Sequence, residues 1–432
     1  MELTELLDEA SSSYTQESAW LSACRQAASS AAKSSGLPTL KTEEWKYTSV
    51  AKLANAGLRL AQKQDADATD KAAQLLPPAA AANRIVLVNG YYSEQLSELE
   101  SDTHLSVTRL HDLGEDNAQI AQLLSRGEDV FAQLNTATMT EGLVLDVADH
   151  VEQEQLVSIV FVATHPEPLL RTPRIIIRAG KNSRLRLIEE FVSGADDLGL
   201  TNVVSDVNVD DGASVWHHRI QEESRSSAQI GRINVDVGRD ASFHSDSVAF
   251  GGGLTRIDID VRLNQQGAEC TLNGLFAVTD EQHVDHHTRV EHRVGDTHSR
   301  ELYRGILDGR SRGVFNGKVV VHQDAQRITA EQASNNLLLS REAEIDTKPE
   351  LEIYADDVSC AHGATVGELD QTALFYLRSR GVSEDEARAL LTYAFAEKVI
   401  DAIPVAHVRR YIEQRFIGHQ RMSETLELLS NG

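Results

Sequence analysis

Val209-Asp-Asp-Gly-Ala-Ser214 and Val237-Gly-Arg-Asp-Ala-Ser242 each close a short β-branched run with a turn made of Gly and Asp. The same punctuation recurs at Arg178-Ala-Gly-Lys-Asn182 and at Gln266-Gly-Ala-Glu269. Aligning Gly180, Gly212, Asp240, Gly267 and Gly295 gives steps of 32, 28, 27 and 28 residues. A loose repeat of about 20–50 residues marks a solenoid or an array. Each unit here reads as short strands joined by turns, so stacked coils would bury an apolar column that no single coil could bury alone. The spacing predicts a mainly β chain with a parallel β-helix over 143–370; a jelly roll or another β-sandwich is the rival.

Working outward, the flanks change texture. Residues 1–83 read as an N-terminal helical region and linker: Leu3, Leu6, Leu7 and Ala10 have helical spacing, and Gly36-Leu-Pro38 stops the segment. An Ala-, Asp- and Gln-rich stretch ending in Pro77-Pro78 reads as the linker. Residues 84–142 form a mixed α/β lead-in, with a strand at Arg84-Ile-Val-Leu-Val-Asn-Gly90 and a helix-like stretch near 115–135. Residues 371–432 read as a C-terminal helical region. Ser383-Glu-Asp-Glu386 is a capping box, followed by an apolar face of Leu391, Phe395 and Val399. Val405, Val408, Ile412 and Phe416 make a second stripe; two such helices after a β body can pack on it, the plainer reading, or dock a partner.

Composition removes several functions. Lys and Arg number 41 against 66 Asp and Glu, a formal charge of −25, which argues against nucleic acid and anionic membranes as partners. Aromatics are 5% of the chain, thin for grooves that stack sugars or bases. Cys24, Cys270 and Cys360 are too few and too scattered for a disulfide framework, so a reducing compartment is expected. The acidic start Met1-Glu-Leu-Thr-Glu5 has no signal-peptide character and the longest apolar run, Leu156 to Ala163, suits a buried strand. A cytoplasmic location is the expectation.

Three motifs carry chemistry. Gly313-Val-Phe-Asn-Gly-Lys318 is not a phosphate loop, because Arg312 stands where its first glycine belongs and Val319 where Ser or Thr belongs. His283, His286, His287, His292 and His298 cluster, but strand geometry separates His286 and His292 by about 20 Å. Strand histidines bonding across neighbouring coils is the plainer reading. In Asp356-Asp-Val-Ser-Cys-Ala-His-Gly363 a strand would put Cys360 and His362 on one face, Cβ atoms about 6.6 Å apart. A thiolate and an imidazole there can reach one metal. Two ligands make half a site, which a second chain would complete if it faces outward; a buried Cys beside a turn histidine is the bland alternative.

Cys360-Ala-His-Gly-Ala-Thr-Val-Gly367, Leu374-Phe-Tyr-Leu-Arg-Ser-Arg-Gly381, Ala387–Ala396, Asn335-Asn-Leu-Leu-Leu339 and Glu44-Trp-Lys-Tyr-Thr48 together resemble the SufB/SufD family of iron–sulfur cluster assembly proteins. The resemblance spans residues 37 to about 418. Gly363, where SufB chains carry glutamate after the histidine, and the low cysteine count point to the SufD side of the family. The resemblance implies a right-handed parallel β-helix between N- and C-terminal helical regions. It also implies a non-catalytic scaffold role in a complex with a SufB-like subunit and a SufC-like ATPase, with sulfur coming indirectly from a cysteine desulfurase and sulfur carrier.

By the same resemblance, His362 matches an interface histidine that binds iron or the nascent cluster, and Cys360 a neighbouring interface cysteine. The C-terminal helices, with Ser383, Arg388, Leu391, Phe395, Val408 and Phe416, would face the ATPase. Reduced flavin belongs to the whole complex, with no cofactor expected to stay tightly bound to the isolated chain; self-pairing in the absence of partners is left open. The rivals are a carbohydrate-active β-helix enzyme with paired acids and a stand-alone metalloprotein built on the histidine cluster.

Overall fold

The computed structural model describes residues 3–13, 17–63, 66–100, 104–114, 117–127 and 129–419. Positions 115, 116 and 128 of the expected lead-in helix, and 420–432 of the C-terminal region, lie outside the described residues.

From Gly142 onward the chain alternates between two parallel sheets. One runs through Gly142–Val147, Arg174–Ala179, Leu200–Val209, Ala228–Val237, Leu254–Leu263, His283–His292, Arg312–Val321 and Glu344–Ile353. The other runs through Glu152–Ala163, Arg184–Ser193, Ser214–Glu222, Ser242–Ala249, Glu269–Val278, His298–Leu307, Ile328–Leu338 and Val358–Gly367. The result is a parallel β-solenoid of about eight turns. The β-branched alternation explains the register: Val203, Val207 and Val209 share inward rows with Gly231, Val235 and Val237, and these with Ile257, Val261 and Leu263. A slip of one residue would turn each of these rows outward, so burial pins the pairing.

The turn punctuation forms a corner column. His150, Asn182, Gly212, Asp240, Gly267, Asp296 and Arg327 all have positive φ, and their amides bond to carbonyls of the next coil, as Gly212 N does to Arg239 O at 2.8 Å. Two members of the alignment shift: the column passes through Asn182 rather than Gly180, and Asp296 rather than Gly295. Asn and Asp tolerate the left-handed region, so glycine alone does not mark it. At Gly212 a Cβ would also run into Asn182 Oδ1 of the coil below.

The solenoid starts earlier than 143. Asn83–Val88 already pairs with the second sheet, and Arg59–Leu60 pairs with Leu169–Arg171. The stretch read as a linker contains a helix, Ala66–Leu75. The lead-in carries two helices, Ala118–Leu124 and Val130–Thr138.

The interior is uneven along its length. Its first coils are filled by Leu143, Leu145, Ile175, Ile177, Leu185 and Leu187. From Glu189 upward the inward rows of the second sheet take in polar side chains, while the first sheet keeps its Val and Ile rows through Leu254–Leu263. Ser205 donates to Glu189 at 2.7 Å, His217 Nδ1 lies 2.9 Å from Ser245 Oγ, and the Arg219 guanidinium sits 4.5 Å over the Phe191 ring.

After the last coil come helices Gln371–Ser379, Glu384–Ile400 and Ala406–His419. The capping box forms as read, with Glu386 N donating to Ser383 Oγ and Ser383 N to Glu386. The second apolar stripe is buried against Ile188, Ile220, Val248 and Ile306 on the outside of the second sheet. The first stripe is rotated: Thr392, Ala396 and Val399 are buried, while Leu391 and Phe395 are half-buried.

Candidate ligand site at the open end of the solenoid

The last coil consists of Glu344–Ile353 and Val358–Gly367, each paired on one edge only. Among the described residues no further coil stacks on it, so each strand leaves a row of backbone donors and acceptors unpaired by neighbouring strands, a template for another chain. Within Val358–Gly367 only Val358 and Cys360 are half-buried; the other residues are exposed. Large apolar side chains stand exposed nearby: Tyr354 at 63%, Val366 at 50%, Phe375 at 73% and Tyr376 at 54%.

Cys360 and His362 share one face of the strand, as the spacing predicts, but that face is the inward one. Register pairs Ala330 with Cys360 and Gln332 with His362, and both Ala330 and Gln332 point into the buried interior. The expectation of an outward-facing pair is therefore corrected. The pair belongs to the wall of the lumen and reaches solvent only because the coil end is open. Cys360 packs beside Ala330, Val319, Leu351 and Val358, and burial raises its thiol pKa. His362 is exposed. A groove of about 300 Å³ runs beside His362, lined by residues of both parities on the last three strands of this sheet, among them Arg300, Glu301, Glu331, Gln332 and Gly363.

The histidine cluster disperses. His283 Nε2 lies 2.9 Å from Thr48 Oγ1, and His292 bonds Thr297 and Ser299. His287 lies 2.9 Å from Asp285; burial opposes its charge, but the Asp285 carboxylate raises it to about 9. His286 faces the lumen with both nitrogens unpartnered, pushed down to about 3 by burial. Among the described residues no three His, Cys, Asp or Glu side chains are grouped so as to hold a metal.

The candidate partner-facing residues fare differently. Val408 and Phe416 are 1% and 0% exposed, so they hold the last helix on the solenoid and are corrected to core positions. Ser383 is engaged in its cap and Arg388 donates to Leu339 O at 3.1 Å. Leu391 and Phe395 pack beside Leu337, Leu374 and Ala387, with the Arg304 guanidinium 4.5 Å over the Phe395 ring.

The Glu44-Trp-Lys-Tyr-Thr48 motif is a clamp on the first sheet. Arg256 sits 3.9 Å over the Trp45 ring, Trp45 packs 5.1 Å from Phe131, and Thr48 donates to Asp285. Two residues behind His362 went unread in the sequence: Gln332 and, one coil further, Glu301, both on its inward row. Parity within the strands finds them once the coil register is known.

Residues 161–395 match the SUF system FeS cluster assembly, SufBD core domain, and residues 1–159 match the SufBD protein N-terminal region. The chain belongs to the SufBD family. It is similar to the iron–sulfur cluster assembly protein SufD of Escherichia coli, 31% identical over 85% of this chain and 86% of that one. It is also 31% identical to an iron–sulfur cluster assembly SufBD family protein of Synechocystis, over 96% of this chain and 94% of the relative. SufD of Bacillus subtilis is 27% identical over 66% of this chain and 65% of its own. These relatives are named as assembly proteins. Among the described residues no helix is long and apolar enough to cross a membrane.

Proposed function

We propose that this chain is a non-catalytic, SufD-type scaffold subunit in iron–sulfur cluster assembly. It pairs with a SufB-type subunit to form a shared cluster site and carries a SufC-type ATPase. The observation that supports this most is the last coil: unpaired strand edges, an apolar rim and half a ligand set meet at one open end.

Iron and sulfur are the cargo of that site. An exposed imidazole binds iron in its neutral form, so His362 is the leading ligand. Cys360 is the weaker candidate, because burial disfavours the thiolate that would bind. The SufB-type subunit supplies the remaining donors, a cysteine and a carboxylate, to complete a set of about four. A cysteine desulfurase and a sulfur carrier deliver sulfur, and reduced flavin acts at the level of the whole complex. The exposed Phe375 and Tyr376 lie on the first C-terminal helix, next to the region assigned to the ATPase. ATP binding and hydrolysis there bias two arrangements of the paired scaffolds, which requires different contacts in each.

The test is His362→Ala in cells that depend on this complex. The variant is expected to copurify with both partners and to stop cluster maturation. Normal maturation would remove His362 from the mechanism; loss of copurification would reassign it to assembly.

A further inference from the structure

The inward row of the second sheet runs through Leu272, Glu301, Gln332 and His362 in register. Neighbouring strands lie about 4.8 Å apart, so the Gln332 amide stands between a buried carboxyl and the exposed imidazole. Glu301 and Gln332 are 2% and 4% exposed. Thr288 of the facing sheet donates to Glu301 Oε2 at 2.5 Å. Glu301 Oε1 and both polar atoms of Gln332 have no hydrogen-bond partner. Across the lumen stands Gly317, where a Cβ would collide with the Gln332 amide; the glycine gives that amide its room. Leaving a buried polar group unpaired costs about 1–3 kcal/mol, so three such atoms on two successive residues of the row that ends at His362 call for a role.

We propose that Gln332 is a positioning residue for His362, its carboxamide bridging Glu301 and the imidazole once a partner covers the coil end, and so deciding which ring nitrogen is left bare. This rests on the reading of His362 as an iron ligand. An ionised Glu301 can only accept, so it draws the Gln332 N–H toward itself and turns Oε1 toward His362. That oxygen accepts the ring N–H, and the other ring nitrogen keeps its lone pair for iron. This is the arrangement by which a ligating histidine is normally held. A protonated Glu301 can instead donate to Oε1. The amide then presents its N–H to the ring, and the ring proton moves to the outward nitrogen, which can no longer coordinate.

Burial pushes Glu301 up to about 7 against the pull of the Thr288 hydroxyl. The groups facing it inside are Cys270 and Tyr303, both kept un-ionised by burial, and His286 from the facing sheet, kept neutral. Arg304 points the other way, toward Phe395 of the covering helix.

The test uses the full chain copurified with its SufB-type partner, with histidine ring nitrogens labelled by ¹⁵N; the His362 signals are those missing in His362→Ala. Wild type is expected to hold one tautomer above pH 7 and to change it as the pH falls through about 7. Glu301→Gln should abolish that step, and Gln332→Leu should mix the tautomers. In cells Gln332→Leu should assemble normally yet lose about 10-fold in cluster formation, with Gln332→Glu, an acceptor, restoring most of it. An unchanged tautomer and pH profile in Gln332→Leu would overturn the inference. So would full activity of Gln332→Leu alongside an inactive His362→Ala, which leaves the ligand reading intact. Normal cluster formation in His362→Ala would defeat that reading first.

Discussion

The two ends of the solenoid interior are built to opposite rules. The first coils are lined by Leu143, Leu145, Ile175, Ile177, Leu185 and Leu187, aliphatic and closed from solvent. The upper coils carry Arg219, His286, Glu301, Tyr303 and Gln332, buried with polar atoms left unpaired. They end in a strand whose residues are almost all exposed. A dry apolar stack is complete in itself. A polar one that opens at its tip leaves buried groups unpaired and strand edges free, and under the proposed function that is the end a second chain would complete.

The largest test of this contrast compares one truncation at each end. Leu187→Ala should cost about 2–5 kcal/mol of stability, because a closed aliphatic lumen cannot collapse around the cavity. Val366→Ala should change the isolated chain by less than about 0.5 kcal/mol and instead weaken copurification with the partner. Urea denaturation of the two variants reads the first effect, and similar losses in both would erase the distinction.

Glu301 sharpens the contrast. Its pKa is raised in the folded state, to about 7 from a usual 4.5, so the folded chain holds a proton that the unfolded chain has released. Stability from this group is present at low pH and is lost as the pH rises from about 4.5 to 7. Glu301→Gln should therefore stabilise the chain at pH 8, by on the order of 3 kcal/mol, and change little near pH 4. Equal effects at both pH values would mean that the carboxyl is not held neutral.

The smallest effect lies outside the lumen, where Glu44-Trp-Lys-Tyr-Thr48 clamps the same upper coils. Burial disfavours a charged His287, yet Asp285 holds it at about 9. That raised value stabilises the fold below about pH 6.5 and is lost as the pH climbs through 9. His287→Gln should destabilise the fold at pH 6, offset in part by the hydrogen bonds the amide can keep, and flatten the decline between pH 7 and 10. A decline as steep as that of wild type would place its origin elsewhere.

Much of this architecture was legible in the chain. Turn spacing revealed the solenoid, because left-handed corners favour Gly, Asn or Asp at a loose recurrence, although His150 and Arg327 also stand in the column. The column still ran through Asn182 and Asp296 where Gly180 and Gly295 were more conspicuous. Ser383 and Glu386 announced their helix start through chemistry local to four residues. The rotation of the next helix was not legible: Leu391 and Phe395 are as apolar as the stripe that is buried, yet the face that packs down carries Thr392 and Ala396, which only long-range packing decides.

The amino-acid order by itself determined the coil period, the caps, and the placing of Cys360 and His362 on one side of a strand, since each follows from backbone geometry over a few neighbouring residues. Only the tertiary structure decided that this side faces inward, that Gln332 and Glu301 stand in file behind the imidazole, and that Val408 and Phe416 are core. Those facts depend on which strand lies next to which, a relation between residues about 30 positions apart that no local pattern encodes.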